Sequence, residues 1–134
     1  MTFSELIQGI KTSAIIGEAN VNITGVEIDS RKVKEGNLFV AIKGTQVDGH
    51  QYIPKAIELG AAAILCEEAP QQPQPNVTYA VVKSTEDEVG KVATRFFGDP
   101  SKHLKLVGVT GTNGKTTIAT LLYNLFRKLG HKCG

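Results

Sequence analysis

Apolar positions along this chain come in two kinds of run. Alternating or dense short runs predict strands, and recurrences at three and four residues predict helices. Asn22 to Ile28 alternates through Ile23, Val26 and Ile28. Asn37 to Ile42, Ala61 to Cys66 and Val77 to Val82 are denser, as strands buried on both faces are. Tyr52 to Leu59 puts Ile53, Ala56 and Ile57 on one helical face, and Gly60 closes it. Thr85 to Phe97 predicts a helix capped by Thr85, with acids in its first turn. Its core face is Val89, Val92, Ala93, Phe96 and Phe97. At the N-terminus, Thr2-Phe3-Ser4-Glu5 has the form of a capping box. It opens a short amphipathic helix through Phe3, Leu6, Ile7 and Ile10.

Strands and helices therefore alternate, which predicts an α/β fold with a mostly parallel sheet flanked by helices. Ala69 to Pro75 holds three prolines and three glutamines and reads as a surface loop. Gly98-Asp99-Pro100-Ser101 breaks the pattern, predicting one domain over 1–98 and the start of a second over 99–134. In that second part Leu104 to Val109 reads as a buried strand. Ile118, Leu121, Leu122, Leu125, Phe126 and Leu129 then share one helical face, expected to be core, and Gly130 is the stop. The strand and helix lack the sheet they would join. A helix this long is marginal alone, so its apolar stripe is expected to pack on the first domain, to self-associate between chains, or to be poorly ordered.

Composition narrows the function classes. The net charge of +2 has its acids and bases interspersed, which gives no case for nucleic acid. No stretch reaches the ~18 apolar residues of a membrane span, so no membrane insertion is expected. The N-terminus lacks the regions of a signal peptide. Cys66 and Cys133 fit no metal or redox spacing, and His50, His103 and His131 form no ligand cluster. A reducing cytoplasm fits this usage.

The chemistry is concentrated in Gly108-Val109-Thr110-Gly111-Thr112-Asn113-Gly114-Lys115-Thr116-Thr117. An apolar strand, a glycine-rich turn, Lys-Thr and a helix are the parts of a nucleoside triphosphate site. Glycines let backbone N–H groups approach phosphate oxygens, and the helix start adds unpaired N–H groups and its dipole. Lys115 is suited to the β- and γ-phosphates of ATP, and the Thr116 hydroxyl to Mg²⁺. The strict pattern has glycine where Val109 stands, and Gly111 is additional, so the loop is a variant. A plain glycine-rich turn between strand and helix is the competing reading.

A second candidate lies in the first domain. Asp29-Ser30-Arg31 follows one predicted strand, and Gly44-Thr45-Gln46-Val47-Asp48-Gly49-His50 follows the next. Loops at the carboxyl ends of parallel strands are the usual ligand sites of open α/β sheets. The same residues also read as a turn with a surface ion pair and as an ordinary glycine turn.

Taken together, Asp29-Ser30-Arg31, Gly36 to Ile42, Gly44, Asp48-Gly49-His50 and Gly60-Ala61 resemble the N-terminal domain of the Mur ligase family. Gly98-Asp99-Pro100-Ser101 and Thr110 to Thr117 resemble the start of that family's central ATPase domain. The resemblance runs through essentially the whole chain. Asn113 and the Asp-Pro-Ser junction favour the MurE type over the MurF type. It implies an ATP-dependent ligase of peptidoglycan synthesis acting on UDP-N-acetylmuramoyl-dipeptide and an amino acid, diaminopimelate or lysine. The amide bond would form through an acyl phosphate. Ile28, Ser30, Thr45, Gln46 and Val47 would line the UDP-sugar site, although the family often has His at the position of Thr45. Gly111, Thr112, Asn113, Gly114, Lys115, Thr116 and Thr117 would hold ATP. Lys115 and Thr116 would act in phosphoryl transfer, with Mg²⁺ on Thr116. The resemblance also implies that these 134 residues are inactive as a ligase by themselves. A stand-alone UDP-sugar-binding module, a MurF-type ligase and another type of phosphate-loop protein are the alternative readings.

Overall fold

Dense apolar runs need cover on both faces, and in the computed structural model, which describes residues 1–44 and 47–134, they receive it. The elements are α1 (Phe3–Leu6), β1 (Thr12–Ile16), β2 (Gly25–Glu27), β3 (Asn37–Val40), α2 (Ile53–Glu58), β4 (Ala63–Cys66), β5 (Thr78–Val82), α3 (Thr85–Phe96) and α4 (Lys115–Lys128). Short 3₁₀ turns lie at Ser30–Lys32, Gly49–Tyr52 and Pro100–His103. The chain divides into two compact units, Met1–Lys102 and His103–Gly134.

In the first unit the strand order is β1-β5-β4-β3-β2. β2, β3, β4 and β5 are mutually parallel, and β1 runs antiparallel to β5 at one edge. Alternation divides the core into two layers. Leu38, Val40, Ala63, Leu65, Ala80 and Val82 face Phe3 and Leu6 of α1 and Val92 of α3. Phe39, Ala41, Ile64, Cys66 and Tyr79 face Ile53 and Ala56 of α2. Burial raises the pKa of the Cys66 thiol to about 11, so it is held as a protonated, inert group.

The capping box forms as expected. Thr2 Oγ1 accepts from Glu5 N–H, and the Glu5 carboxylate accepts from Thr2 N–H at 2.7 Å. Other expectations are corrected. The cap of α3 is Ser84, whose hydroxyl accepts from Asp87 N–H, while the fully buried Thr85 turns its hydroxyl toward Ala41 C=O. Phe97 falls at the C-cap, past the last helical turn, and is exposed rather than core. β1 has no counterpart in the apolar pattern, because its residues are mostly exposed and only its ladder with β5 makes it a strand.

In the second unit α4 forms over the expected residues and ends with Gly130 in the left-handed region. Leu104 to Val109, expected to be a strand, has no ladder partner and forms none. A strand's N–H and C=O groups need a neighbour to pair with, however apolar its sequence. The apolar face of α4, expected to be core, is not buried: Leu121 is 64 % exposed and Leu129 likewise.

Candidate functional site

Because β2 to β5 are parallel, the segments that follow them emerge along one edge of the sheet. Ile28, Asp29 and Ser30 follow β2, and the 43–48 loop follows its neighbour β3. Glu67 follows β4, and Lys83 to Thr85 follow β5. Two large apolar side chains stand exposed here, Ile28 at 60 % and Val47 at 53 %. Ser30 is buried at the start of its 3₁₀ turn. Asp29 caps that turn by accepting from Arg31 N–H. It also takes a two-pronged contact from the Arg31 guanidinium, at 2.9 Å to each carboxylate oxygen. Chiefly through those side-chain contacts, the Asp29 pKa is lowered to about 2. The turn with a surface ion pair is thus what Asp29 and Arg31 form, and Ser30 lies between them. Thr45 and Gln46 lie outside the described residues.

Three backbone contacts hold the loop after β3 at its base. Gly44 N–H donates to Val47 C=O at 3.0 Å, Gly49 N–H donates to Ile42 C=O at 2.8 Å, and Lys43 bridges Asp48. Gly49 is required by space: a Cβ there would sit 2.6 Å from Ile42 O and 2.8 Å from Ile42 N. Side chains continue the hold. The Asp48 carboxylate caps the next turn, accepting from His50 N–H at 2.9 Å and meeting His50 Nδ1 at 2.7 Å. Those bonds, the backbone one first, lower the Asp48 pKa. On the other side of the ring, Nε2 accepts from Glu67 N–H at 2.8 Å. Nε2 must then carry a lone pair, so the ring is neutral with its hydrogen on Nδ1. Glu67 Oε1 in turn accepts from Thr85 N–H at 3.0 Å and lies 3.1 Å from the Thr85 hydroxyl. Sequence reading missed this chain of contacts. Asp48-Gly49-His50 stands in the sequence as a glycine turn and as part of a candidate ligand loop, and nothing in its spacing points to Glu67 or Thr85.

A cleft of about 360 Å³ borders the same loop, lined by Lys43, Asp48, His50, Pro54, Glu67 and Glu68 among others. Ile28, Ser30 and Val47 are not among its lining residues. Three carboxylates against one lysine make this cleft a poor place for a diphosphate. The exposed apolar pair on the carboxyl edge is the better ligand surface.

In the second unit, Gly114 takes φ 76° and serves as the N-cap of α4 without a side-chain bond. Gly111 has φ 154°. A Cβ at Gly114 would meet nothing within 4 Å, so conformation, not crowding, calls for glycine. Ile118 N–H makes the bond to Gly114 C=O. The N–H groups of Lys115, Thr116 and Thr117 form the first turn, where no intrahelical acceptor exists. The Lys115 ammonium folds back onto Gly111 C=O, which places a cation over the loop. These donors suit a polyphosphate, and Thr116 opens the helix with its hydroxyl. Among the described residues no group of three His, Cys, Asp or Glu could hold a metal. A Mg²⁺ ion here would use Thr116 and the phosphates themselves, as such sites commonly do.

Comparison with known proteins follows the same lines. The model of the Mur ligase family, catalytic domain, matches residues 22–105. The UDP-N-acetylmuramoyl-L-alanyl-D-glutamate–2,6-diaminopimelate ligase of Phocaeicola vulgatus is 58 % identical over 134 residues, all of this chain and 28 % of that protein. A solved structure of a UDP-N-acetylmuramoyl-L-alanyl-D-glutamate–2,6-diaminopimelate ligase superposes with a TM-score of 0.66. It is 26 % identical and covers 99 % of this chain and 26 % of that one. MurF ligase from Thermotoga maritima, solved in complex with ADP, superposes with a TM-score of 0.55. It is 34 % identical and covers 81 % of this chain and 24 % of that one. The chain spans about a quarter of the length of these relatives. A family model matched over well over half of the sequence, together with relatives that align along its whole length, decides the kinship: the chain belongs to the Mur ligase family.

Proposed function

We propose that the Met1–Lys102 unit binds the uridine diphosphate part of a UDP-N-acetylmuramoyl-dipeptide, and that residues 111–117 bind ATP with Mg²⁺. Within a ligase of the relatives' length, these two parts then serve the cytoplasmic, ATP-dependent addition of diaminopimelate as the third residue of the peptidoglycan peptide, and the 134 residues alone are inactive. The observation that carries this reading is the exposed apolar pair, Ile28 and Val47, following neighbouring parallel strands at their carboxyl ends. An apolar pair there suits the faces of a uracil ring, and the loop backbone beside it suits ribose and phosphate. The 58 % identical relative names the reaction and the amino acid. The relative solved with ADP supports the nucleotide assignment.

In this reading ATP with Mg²⁺ supplies the phosphoryl group that activates the substrate carboxylate. Lys115 and the N–H groups of the first turn of α4 bind and orient the phosphates and offset their charge. The Thr116 hydroxyl would be a ligand to the metal from this loop. Ile28 and Val47 hold the base, with the Ser30 turn following the same strand as Ile28, and the family resemblance assigns Thr45 and Gln46 to the same ligand. The 1–98 and 99–134 parts of the chain thereby divide the work between UDP-sugar and ATP.

Isothermal titration of the chain with a UDP-sugar tests the first half. Binding is expected, and Val47→Asp should weaken it about tenfold or more while leaving the circular dichroism unchanged. A native chain that shows no heat and no thermal shift at millimolar UDP-sugar sinks the reading, since any ligand of the folded state must raise its stability.

A further inference from the structure

The contacts from Asp48 through His50 to Glu67 tie together segments that follow three different parallel strands. Asp48 and His50 follow β3, Glu67 follows β4, and Thr85 follows β5. The Thr85 hydroxyl returns to Ala41 C=O at 3.0 Å, just after β3, which closes the circuit. Among the described residues His50 is the titratable link between the loop and Glu67 N–H. We infer that neutral His50 is a positioning residue that locks the base of the 43–48 loop to the end of β4, and that protonating Nε2 opens the lock and weakens UDP-sugar binding. The binding half of this inference rests on the function proposed above.

The chemistry is a matter of donors and acceptors. Neutral His50 offers Nδ1–H to a carboxylate and a lone pair at Nε2 to a backbone N–H. Protonation turns Nε2 into a donor facing Glu67 N–H, so two donors then oppose each other. A partly buried N–H left without its acceptor is costly, and the segment after β4 must shift to find water. His50 has a side-chain exposure of only 17 %, so water does not replace the contact without movement. The charges around the ring pull in both directions. In the cleft that the ring lines, Asp48 and Lys43 come from the loop and Glu67 and Glu68 from the end of β4, while α2 contributes the uncharged Ile53 and Pro54. Asp48 stays bonded to the ring in either protonation state, so the ring remains attached to its own loop. The link that changes is the one to Glu67. Val47, the proposed base contact, lies one residue before Asp48 and bonds Gly44 across the turn. Loosening the base of this turn therefore moves a residue that would touch ligand.

The test uses the whole chain and UDP-N-acetylglucosamine, a diphosphate diester with no group that titrates between about pH 8 and about pH 5. Across that range native affinity should fall about tenfold. His50→Gln keeps an amide oxygen near the Nε2 position and cannot titrate. Its affinity should be near native at the upper end and flat with pH. His50→Ala should bind weakly at both ends. A native profile as flat as that of His50→Gln overturns the inference, as does a His50→Gln profile as steep as native. Amide-resolved hydrogen exchange supplies a readout that needs no ligand. The protection factor of Glu67 N–H should drop about tenfold between the upper and lower ends of the same pH range, while that of Leu65 N–H in β4 holds. An unchanged Glu67 protection across that pH range overturns the lock, whatever the binding data show. If the native chain binds no UDP-sugar at any pH, the proposed function and the binding half fall together. A drop in Glu67 protection would then still support the lock itself.

Discussion

The loop after β3 and the loop before α4 are both polar, rich in glycine and set beside apolar segments, but they are held in different ways. The first is built into a sheet. Its base is closed by backbone bonds to Ile42 and Val47, and its next turn is pinned through His50 to the end of β4. Gly49 is there because the backbone of Ile42 leaves no room for a side chain. The second loop is held by its own residues. Lys115 bonds Gly111, and Gly114 is there for its positive φ, with open space where a Cβ would go. A binding loop can thus be shaped by what surrounds it or by its own backbone. The two ways make different demands on the same residue type.

Substitutions of one kind in both regions sharpen this contrast. The largest difference is expected for leucine truncation. Leu38→Ala removes a fully buried side chain between α1 and α3 and should cost about 2–5 kcal/mol, read as a lowered urea midpoint. Leu121→Ala on the exposed face of α4 should stay within about 0.5 kcal/mol. Equal effects would mean that α4 is buried in solution.

Glycine substitutions come next. Gly49→Ala forces a Cβ against the Ile42 backbone and should cost about 1–3 kcal/mol of the stability of the first unit. Gly114→Ala meets no atoms but must hold a left-handed conformation, at about 1–2 kcal/mol. Its effect should appear as fraying of α4, a loss of helical ellipticity without a change in the midpoint of the sheet. A lowered sheet midpoint in Gly114→Ala would break the distinction between the two loops.

The smallest effect is expected at the Asp29–Arg31 pair, where Arg31 is largely exposed. The folded pKa of Asp29, about 2, lies below an ordinary aspartate value of about 3.9. The contribution of the pair is therefore full above about pH 4 and lost as pH falls through about 2. Thermal midpoints of the native chain and Arg31→Ala should differ slightly near neutrality and converge toward pH 2. A gap that widens with acid would show that Asp29 is held down by something else.

Elements with a buried face were legible in advance. β3, β4 and β5 are dense apolar runs, and the two helices flanking them carry their core residues at helical spacing. The capping box of α1 could be read because it is local in sequence. β1 was not legible, since an exposed edge strand is defined by its partner and not by its pattern. Leu104 to Val109 shows the converse, an apolar run without a partner. In the candidate site, Asp29-Ser30-Arg31 and the glycine loops stand out in the sequence. The link from His50 to Glu67 spans 17 positions and does not.

By itself the sequence determined the local and periodic features of this protein: two-sided strands, helix caps, glycine turns, and a phosphate-loop motif that opens a helix. Short-range sterics and hydrogen bonds set these, and each is complete within a few residues. Only the tertiary structure decided which edge of the sheet carries Ile28 and Val47, why Gly49 admits no side chain, and that Thr85 is buried rather than a cap. It also decided the protonation of His50. A proton sits where its hydrogen-bond partners allow, and those partners come from loops after separate strands that meet only once the parallel sheet has formed.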